Sequence, residues 1–251
     1  MSTEPRPIRL VPLTGMPEVE PGADLTSLIR ESAARLDVEL DGRVVVVCQK
    51  IVSKAEGRIV GLVDVTPSPE ALEIAKENDR DPRQVEVVLR ESKRIVRRGH
   101  GVLITETRHG FVCANAGVDL SNAPGPETAV LLPIDPDGSA RRIHEALSTG
   151  KLHTPVVITD TFGRPWREGL VDVALGSAGL APIRDDRGTL DRSGRELVVT
   201  RPAVADQLAA AAGLLMLKSA GVPAVVVEGF VFEGDGEVRD LLRDPSTDLF
   251  K

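Results

Sequence analysis

Two apolar, strand-like segments of this chain each run directly into a group of polar side chains. The first, residues 111–114, continues into a stretch that holds Asp119 together with two asparagines and a serine. The second, residues 156–159, continues into Asp160 and Thr161. Hard cations such as Mg²⁺ and Mn²⁺ bind oxygen ligands that converge from separate segments. The two strand ends therefore predict a site for a metal ion or a phosphate group, formed where the fold brings them together.

Each polar group also has a simpler structural explanation. An Asp-x-x-Asn sequence after a strand, as at residues 119–122, often forms an Asx turn or caps a helix. An isolated Asp-Thr-x-Gly-Arg sequence, as at residues 160–164, is a turn more often than a site. The presence of both groups in one chain favours a functional site over two unrelated turns.

The composition excludes several functional classes. With five Phe, one Trp and no Tyr, the chain lacks the aromatic side chains of a base-stacking nucleic-acid platform. Its net charge of −7 provides no general attraction to nucleic acid or to an anionic membrane. Cys48 and Cys113 lie in apolar runs and are typical of buried, reduced thiols. No stretch resembles a membrane span or a signal peptide, so we expect a soluble, cytoplasmic protein.

Apolar periodicity predicts an α+β fold of mixed sheets and helices. We expect residues 1–251 to form a single unit, with one lobe or two. Predicted helices cover residues 23–36, a segment after Pro69, and residues 82–98, 140–147 and 203–220. Predicted strands cover residues 43–48, 102–105, 111–114, 128–132, 155–159 and 196–200. Residues 135–139 depart from the calcium-loop pattern and are predicted to cap the following helix.

Common nucleotide-binding and nucleophile motifs are missing. The sequence has no P-loop, no Rossmann G-x-G-x-x-G and no nucleophile elbow, so a nucleotide would bind outside these cradles. A third polar segment, residues 49–58, follows a strand and includes Lys54, whose charge could act on a phosphate. A solvated turn with a Glu56–Arg58 pair explains the same segment equally well. The basic run at residues 93–98 is predicted to be a solvated helix end.

Seven longer motifs, in order along the chain, closely resemble the coenzyme F420-0 γ-glutamyl ligase family. They are SKAEGR at residues 53–58, CANAGVDLSN at 113–122, LLPIDPDGSA at 131–140, ITDTFGRPWR at 158–167, GRELVVT at 194–200, ADQLA at 205–209 and VRDLLRDPSTDLF at 238–250. The resemblance spans roughly residues 10–250 and is highly specific, because several long motifs occur in the family's order.

The resemblance implies a nucleotide-dependent amide ligase. Family members use GTP and a divalent metal, Mg²⁺ or Mn²⁺ with K⁺ as a further option, to join L-glutamate to a deazaflavin precursor through an acyl phosphate. They then add further γ-linked glutamates, and they are typically homodimers. A nucleotide-binding regulatory module of the same fold without turnover, and a metal-dependent phosphohydrolase, remain alternatives.

The resemblance also assigns residues by position. Asp119 and Asp160 match the family's first metal site and Thr161 falls at its second, and Lys54, Asp119 and Asp160 form the expected catalytic set. The residues that fall where the family contacts GTP are Met16, Pro17, Glu18, Val19, Gln49, Lys54, Asn122, Met216, Lys218, Gly221 and Val222. Chemistry alone, not the resemblance, suggests Arg164 and Arg167 for gripping a substrate carboxylate or phosphate.

Two features depart from the family pattern. In the loop after the last long helix, family members usually carry an acidic residue or Gln that can reach metal, whereas this chain has Lys218. A protonated lysine cannot bind a hard cation, which leaves the second metal site in doubt. Some relatives also continue into a reductase domain. The sequence ends at Lys251, and we expect either a natural short form or a piece of a longer protein.

Overall fold

The computed structural model of the chain describes residues 6–99 and 101–248. Its α-helices are α1 (Leu25–Arg35), α2 (Gln49–Ala55), α3 (Pro69–Asn78), α4 (Pro82–Glu91), α5 (Pro136–Leu147) and α6 (Val204–Gly213). Its strands are β1 (Arg9–Leu13), β2 (Val44–Cys48), β3 (Ile59–Gly61), β4 (Ser92–Gly99), β5 (Val102–Thr107), β6 (Val112–Ala114), β7 (Thr128–Val130), β8 (Val156–Arg164), β9 (Arg167–Ala178) and β10 (Ala224–Glu228). The mixture of helices and mixed sheets confirms the predicted α+β class.

A five-stranded sheet in the order β1-β10-β2-β8-β9 organises the fold. Strands β2 and β8 are parallel, with Val45 opposite Val156 and Cys48 opposite Thr159. The other three pairings in this sheet are antiparallel. Because β2 and β8 run in the same direction, the residues that follow Cys48 and Thr159 emerge at the same edge of the sheet.

The valine run of β2 reflects burial on both faces of this sheet. Val45 and Val47 pack in a cluster with α1 and α5, whereas Val44 and Val46 pack in a second cluster with α6. Successive side chains of a strand point to opposite faces, so a strand covered by helices on both sides needs an apolar residue at every position.

A helical hairpin of α3 and α4 packs on a three-stranded sheet in the order β4-β5-β6. Ser68 caps the start of α3, where its side chain accepts a hydrogen bond from the Ala71 N–H. Asp81 caps the start of α4, where its carboxylate accepts a hydrogen bond from the Arg83 N–H. Proline at the first turn of each helix supports these starts. The buried side chains of this cluster include Ile74 from α3, Val85 and Val88 from α4, and Leu103 from β5.

The predicted helix at residues 82–98 is wrong beyond Glu91. Helix α4 ends there, and residues 92–99 form the edge strand β4, paired with β5. The basic run is therefore a strand and not a helix end. Lys93 and Arg94 both bind the Glu106 carboxylate across the strand pair, at 2.8 and 2.6 Å. Residues 92–99 are a strand because they pair with β5, and no local sequence pattern reveals that pairing.

Three smaller predictions were also wrong. Residues 196–200 form no strand, and the segment around them holds only isolated bridges such as Leu190–Glu196. Helix α6 ends at Gly213, and residues 214–222 form a loop instead. The Glu56–Arg58 pair does not form: Arg58 binds Glu91, and Glu56 binds Arg142, each at 2.6 Å.

The predicted cap of α5 is correct only at Asp135, because residues 136–139 form the first turn of the helix and not a turn before it. Asp135 precedes the helix, and its carboxylate accepts a hydrogen bond from the Gly138 N–H at 3.1 Å. None of the helices in the described part of the chain is long and apolar enough to cross a membrane.

Candidate active site

A cavity of about 1080 Å³ opens at the edge of the main sheet where β2 and β8 present their parallel ends. Its wall consists of residues 16–19, 48, 50, 51, 54, 114, 115, 117–119, 122–124, 160–163, 170, 216–219 and 221–223. Both predicted polar groups, after β6 and on β8, contribute to this wall. Ligand sites in open sheets commonly lie outside the carboxyl ends of strands, so the cavity has the expected location for a substrate site.

Asp119 is held in place by Lys50 from the first turn of α2. The Lys50 Nζ donates to Asp119 Oδ2 at 2.6 Å and to the Ser121 carbonyl at 2.7 Å. The Ser121 N–H donates to the other Asp119 oxygen at 2.7 Å. Burial alone would raise the pKa of Asp119, but the hydrogen bonds from Lys50 and Ser121 outweigh it, so the pKa lies below its ordinary value. Asp119 is therefore ionised at neutral pH.

Asp160, on β8, has a different electrostatic environment. Burial is the main cause that raises the pKa of Asp160 to about 7, and the negative charges of Asp119 and Asp172 add to it. A hydrogen bond from the Thr161 N–H and the charge of Lys50 act in the opposite direction. Within the described residues no lysine or arginine forms an ion pair with Asp160. A positive charge that binds in the cavity would therefore stabilise its ionised form.

These groups fit a divalent cation. Asp119 and Asp160 supply carboxylate oxygens, and the Thr161 hydroxyl donates to Asp172 at 2.7 Å, which leaves its own lone pairs for a cation. Residues 6–99 and 101–248 contain no group of three or more His, Cys, Asp or Glu side chains placed to hold a metal. Phosphate oxygens and water would have to complete the shell, as is usual for Mg²⁺ in nucleotide-dependent enzymes.

Most residues assigned to GTP line this cavity. They are Met16, Pro17, Glu18, Val19, Lys54, Asn122, Met216, Lys218, Gly221 and Val222. The Asn122 side-chain amide donates to the Lys218 carbonyl at 3.3 Å and joins two of these segments. The fold thus brings residues from both ends of the chain to one wall, although their contact with GTP stays a prediction.

Lys54 is buried, not a surface residue of a solvated turn. It lies one helical turn after Lys50 on α2, and its ammonium group forms an ion pair with the Glu18 carboxylate. The Lys54 side chain is 6% exposed, whereas the Glu18 side chain is 73% exposed. The charge of Lys54 is therefore held at the cavity wall with one exposed partner that a phosphate could replace.

Three predicted residues lie outside the cavity wall. Gln49 is buried in α2, where its Oε1 accepts from the Ser53 hydroxyl at 2.8 Å. Arg164 and Arg167 are exposed at the turn between β8 and β9, and Arg164 donates to the Glu168 carbonyl at 3.1 Å. Their roles in nucleotide and substrate binding stay predictions that this arrangement does not support directly.

Comparison with known proteins places this architecture in a family. Residues 15–229 match the family described as F420-0:Gamma-glutamyl ligase. The chain belongs to that family. It is 49% identical to the coenzyme F420:L-glutamate ligase of Methanothermobacter thermautotrophicus, over 97% of this chain and 99% of that protein. The proteins of the same name from Methanopyrus kandleri and Archaeoglobus fulgidus are 45% and 40% identical, each over 97% of this chain and 98% and 96% of their own length.

In this member of the F420-0:gamma-glutamyl ligase family, the segment before Asp119 has a strained backbone. Asn115, Ala116 and Gly117 all have positive φ, at 52°, 53° and 68°. A Cβ atom at Gly117 would lie 2.7 Å from the Leu132 side chain, so only glycine fits there. Left-handed non-glycine residues cost about 1–3 kcal/mol each and persist where surrounding contacts impose them. The strain turns the chain so that Asp119 faces the cavity.

Lys50 is a site residue that our reading of the sequence missed. Its partner Asp119 is 69 residues away, and no local pattern connects them. One signal was available: Lys50 and Lys54 are separated by four positions, which places them on the same face of a helix. With Lys54 assigned to the site, this spacing would have pointed to Lys50.

Proposed function

We propose that this protein is a GTP-dependent ligase that joins L-glutamate to coenzyme F420-0 and then adds further glutamates through γ-linkages. Family membership and the names of the relatives support an amide-forming ligase with these substrates. The observation on this chain that carries the proposal is one cavity lined by two carboxylates, Asp119 and Asp160, and two lysines, Lys50 and Lys54. Such a site can neutralise and position phosphates.

The proposed reaction first activates a carboxylate, because a free carboxylate is a poor electrophile. A carboxylate oxygen of F420-0 attacks the γ-phosphorus of GTP, the bond to the β-phosphate oxygen breaks, and GDP leaves. The amine of glutamate then attacks the carbonyl carbon of the acyl phosphate. Inorganic phosphate leaves with the electron pair of the carbon–oxygen bond, and the nitrogen releases a proton to water. The sum is one amide, GDP and phosphate.

The protein's main tasks in this scheme are positioning and charge neutralisation. Asp119 and Asp160 would hold Mg²⁺ or Mn²⁺, which supplies positive charge to the phosphates when bound. Lys50 fixes the orientation of Asp119 through its 2.6 Å hydrogen bond. Lys54 would exchange its exposed partner Glu18 for a phosphate. A volume of about 1080 Å³ exceeds that of a typical drug-sized site, ~300–1,000 Å³, and leaves room for a nucleotide beside part of a second substrate.

We also propose that the protein is a homodimer and acts in the cytoplasm. K⁺ would be an additional cation, and nucleic acid would have no role. Exposed apolar side chains support a second copy as partner. Leu170 on β9 is 65% exposed, and Val198 and Val199 in the long loop after β9 are 69% and 82% exposed. Sedimentation equilibrium of the purified chain would measure the mass: a monomer at micromolar concentration would contradict the dimer.

A substrate-omission assay tests the proposed activity. GDP should form from GTP only when L-glutamate, F420-0 and a divalent metal are all present, and the product mass should rise by glutamyl units. GDP release without either co-substrate would indicate a phosphohydrolase. Nucleotide binding without GDP release under any condition would indicate a regulatory module. ATP in place of GTP should support markedly slower turnover.

A further inference from the structure

A second, smaller cavity lies behind the strained segment of the active site. Its volume is about 200 Å³, and Asn115, Val118 and Asp119 line both this cavity and the large one. The remaining wall comes from the α3–α4 hairpin, through Arg80 and Gln84, and from the apolar side chains of Val88 and Leu120. We refer to it as the Arg80 cavity.

The hairpin geometry sets the position of Arg80. Asp79 ends α3 in the left-handed conformation, with φ of 50°, and the Arg80 N–H donates back to the Ala75 carbonyl at 3.0 Å. Asp81 then begins α4. Arg80 therefore occupies a tight link between two packed helices, and Gln84 on the first turn of α4 lies on the same side.

Arg80 is a half-buried cation whose hydrogen-bond partners among the described residues are neutral. Its Nη1 donates to Asn115 Oδ1 at 2.7 Å and to the Gly101 carbonyl at 3.5 Å. Within residues 6–99 and 101–248 it forms no ion pair, whereas the nearby Arg83 binds two carboxylates. Burial also lowers the pKa of Arg80. A desolvated charge without a counter-ion is costly, which favours an anionic ligand at this position.

The free donors of the Arg80 cavity match a carboxylate. Both of these Arg80 hydrogen bonds use Nη1, so Nε and Nη2 remain for a bidentate carboxylate contact. The Gln84 side chain forms no hydrogen bond in the described part of the chain and can add a donor. Asp119 also faces this cavity, but the Lys50 ammonium at 2.6 Å offsets its charge.

We infer that the Arg80 cavity binds a carboxylate of the amino-acid substrate, L-glutamate, with Arg80 and Gln84 as specificity-determining residues; this inference rests on the proposed ligase function. The volume of about 200 Å³ is below the ~300–1,000 Å³ of drug-sized sites and is too small for a tricyclic deazaflavin or a nucleotide. Val88 and Leu120 provide apolar contacts for methylene groups. A glutamate held there would have its amine beside Asp119, at the wall that the two cavities share.

Steady-state kinetics of two variants test the inference. Gln84→Glu places a negative charge in the cavity and leaves the Arg80–Asn115 hydrogen bond available, and Arg80→Lys keeps the charge but loses the planar fork. We expect the KM for L-glutamate to rise about 10- to 100-fold in both, the range for one lost hydrogen bond to a charged group. The KM for GTP and the KM for F420-0 should stay within about twofold of the wild-type values. The melting temperature of Gln84→Glu should stay within a few degrees of that of wild type.

Arg83→Gln is the matched control, because it removes one positive charge from the same helix start outside the cavity. It should leave the KM for L-glutamate unchanged. An unchanged KM for L-glutamate in active Gln84→Glu, or a rise confined to the KM for GTP or F420-0, would overturn the inference while the ligase function stands. Saturation-transfer NMR with L-glutamate gives an answer independent of turnover: binding to wild type and Arg83→Gln that is lost in Gln84→Glu supports the site, and equal binding in all three contradicts it.

Discussion

The Nζ atom of Lys50 lies 2.6 Å from the Oδ2 atom of Asp119, and this ion pair joins α2 to the loop after β6. Lys50 and Asp119 side chains are 13% and 29% exposed, so the pair is largely removed from water. Lys50 uses its remaining donors on the Ser121 carbonyl and hydroxyl, at 2.7 and 3.2 Å. Asp119 is thus oriented by the protein itself, whereas Asp160 has no ion pair with a lysine or arginine among the described residues.

Replacing Lys50 should lower activity more than an ordinary surface change. We expect Lys50→Gln to reduce kcat/KM at least 10- to 100-fold, the usual cost of losing a group that orients a metal ligand. It should also reduce the free energy of unfolding by about 1–3 kcal/mol, because a half-buried carboxylate loses its charged partner. Turnover assays and urea unfolding measure both. Lys76→Gln, on the exposed face of α3, is the control and should change neither.

The sequence predicted those parts of the fold in which burial imposes a local pattern. The valines of β2 must be apolar at each position because helices cover both faces of the sheet, and Asp135 caps α5 through contacts only three residues away. The same reasoning failed at β4. The apolar pair Ile95 and Val96 fits a helix or a strand, and only pairing with the distant β5 decides between them.

The candidate site was partly predictable for the same reason. Asp119 and Asp160 each follow an apolar strand segment, so a site formed where the fold brings them together could be expected from the sequence. Lys50 and Arg80 could not be assigned in this way, since each acquires its role from a partner across the fold: Asp119 for Lys50 and Asn115 for Arg80. Such long-range pairs have no local periodicity.

Substitution of either site carboxylate should abolish most activity without unfolding the protein. Asp119→Asn and Asp160→Asn should each lower kcat/KM by more than about 100-fold, since the loss of a directly bound charge should exceed that of an outer partner. Wild-type turnover in either variant at limiting metal would rule out the proposed metal site.

Asp160→Asn should also stabilise the metal-free protein at alkaline pH. The pKa of Asp160 is about 7 in the fold, above its ordinary 3.8, so the native state binds the proton more tightly than the unfolded chain. The contribution of this group to stability therefore falls as pH rises from about 4 to 7, and the full penalty applies above 7. We expect Asp160→Asn to gain about 4 kcal/mol over wild type at pH 8 in EDTA, because the folded and unfolded pKa values differ by about three and each unit corresponds to about 1.4 kcal/mol, with the difference vanishing near pH 4. A variant less stable than wild type at pH 8 would contradict this.

Removing the buried ammonium of Lys54 should weaken the use of GTP. We expect Lys54→Ala, and the closer-fitting Lys54→Met, to lower the rate roughly 10²–10³-fold if the charge acts on the transferring phosphate. Glu18→Gln is the control: its side chain is 73% exposed, so its loss should change the rate only a few-fold. Single-turnover GDP formation provides the measurement. If only the affinity for glutamate changes, Lys54 does not act on the nucleotide.

Cys48 offers a chemical probe of cavity occupancy. It lines the large cavity, and burial raises its pKa to about 11, so the reactive thiolate is scarce at neutral pH. Alkylation by iodoacetamide should be slow at pH 7.5 and accelerate about 100-fold at pH 9.5, because the thiolate population rises tenfold per pH unit below the pKa. GTP with Mg²⁺ should protect Cys48. Cys113, buried and with a pKa raised to about 12, should react only after unfolding. Equal labelling of Cys48 with and without GTP would contradict nucleotide binding in this cavity.

Lys218 should replace part of the positive charge that a second metal would otherwise supply. It lies on the loop after α6 that lines the cavity, its side chain is exposed, and its carbonyl is fixed by Asn122. We expect Lys218→Ala to weaken GTP binding by roughly fivefold, since an exposed charge contributes up to about 1 kcal/mol. Lys218→Glu should increase the metal concentration needed for half-maximal activity. Lys151→Glu is the control, because it makes the same charge change at an exposed position outside the cavity. It should leave the metal concentration for half-maximal activity unchanged. Metal titrations of wild type and Lys218→Glu that superimpose would show that Lys218 has no part in the site.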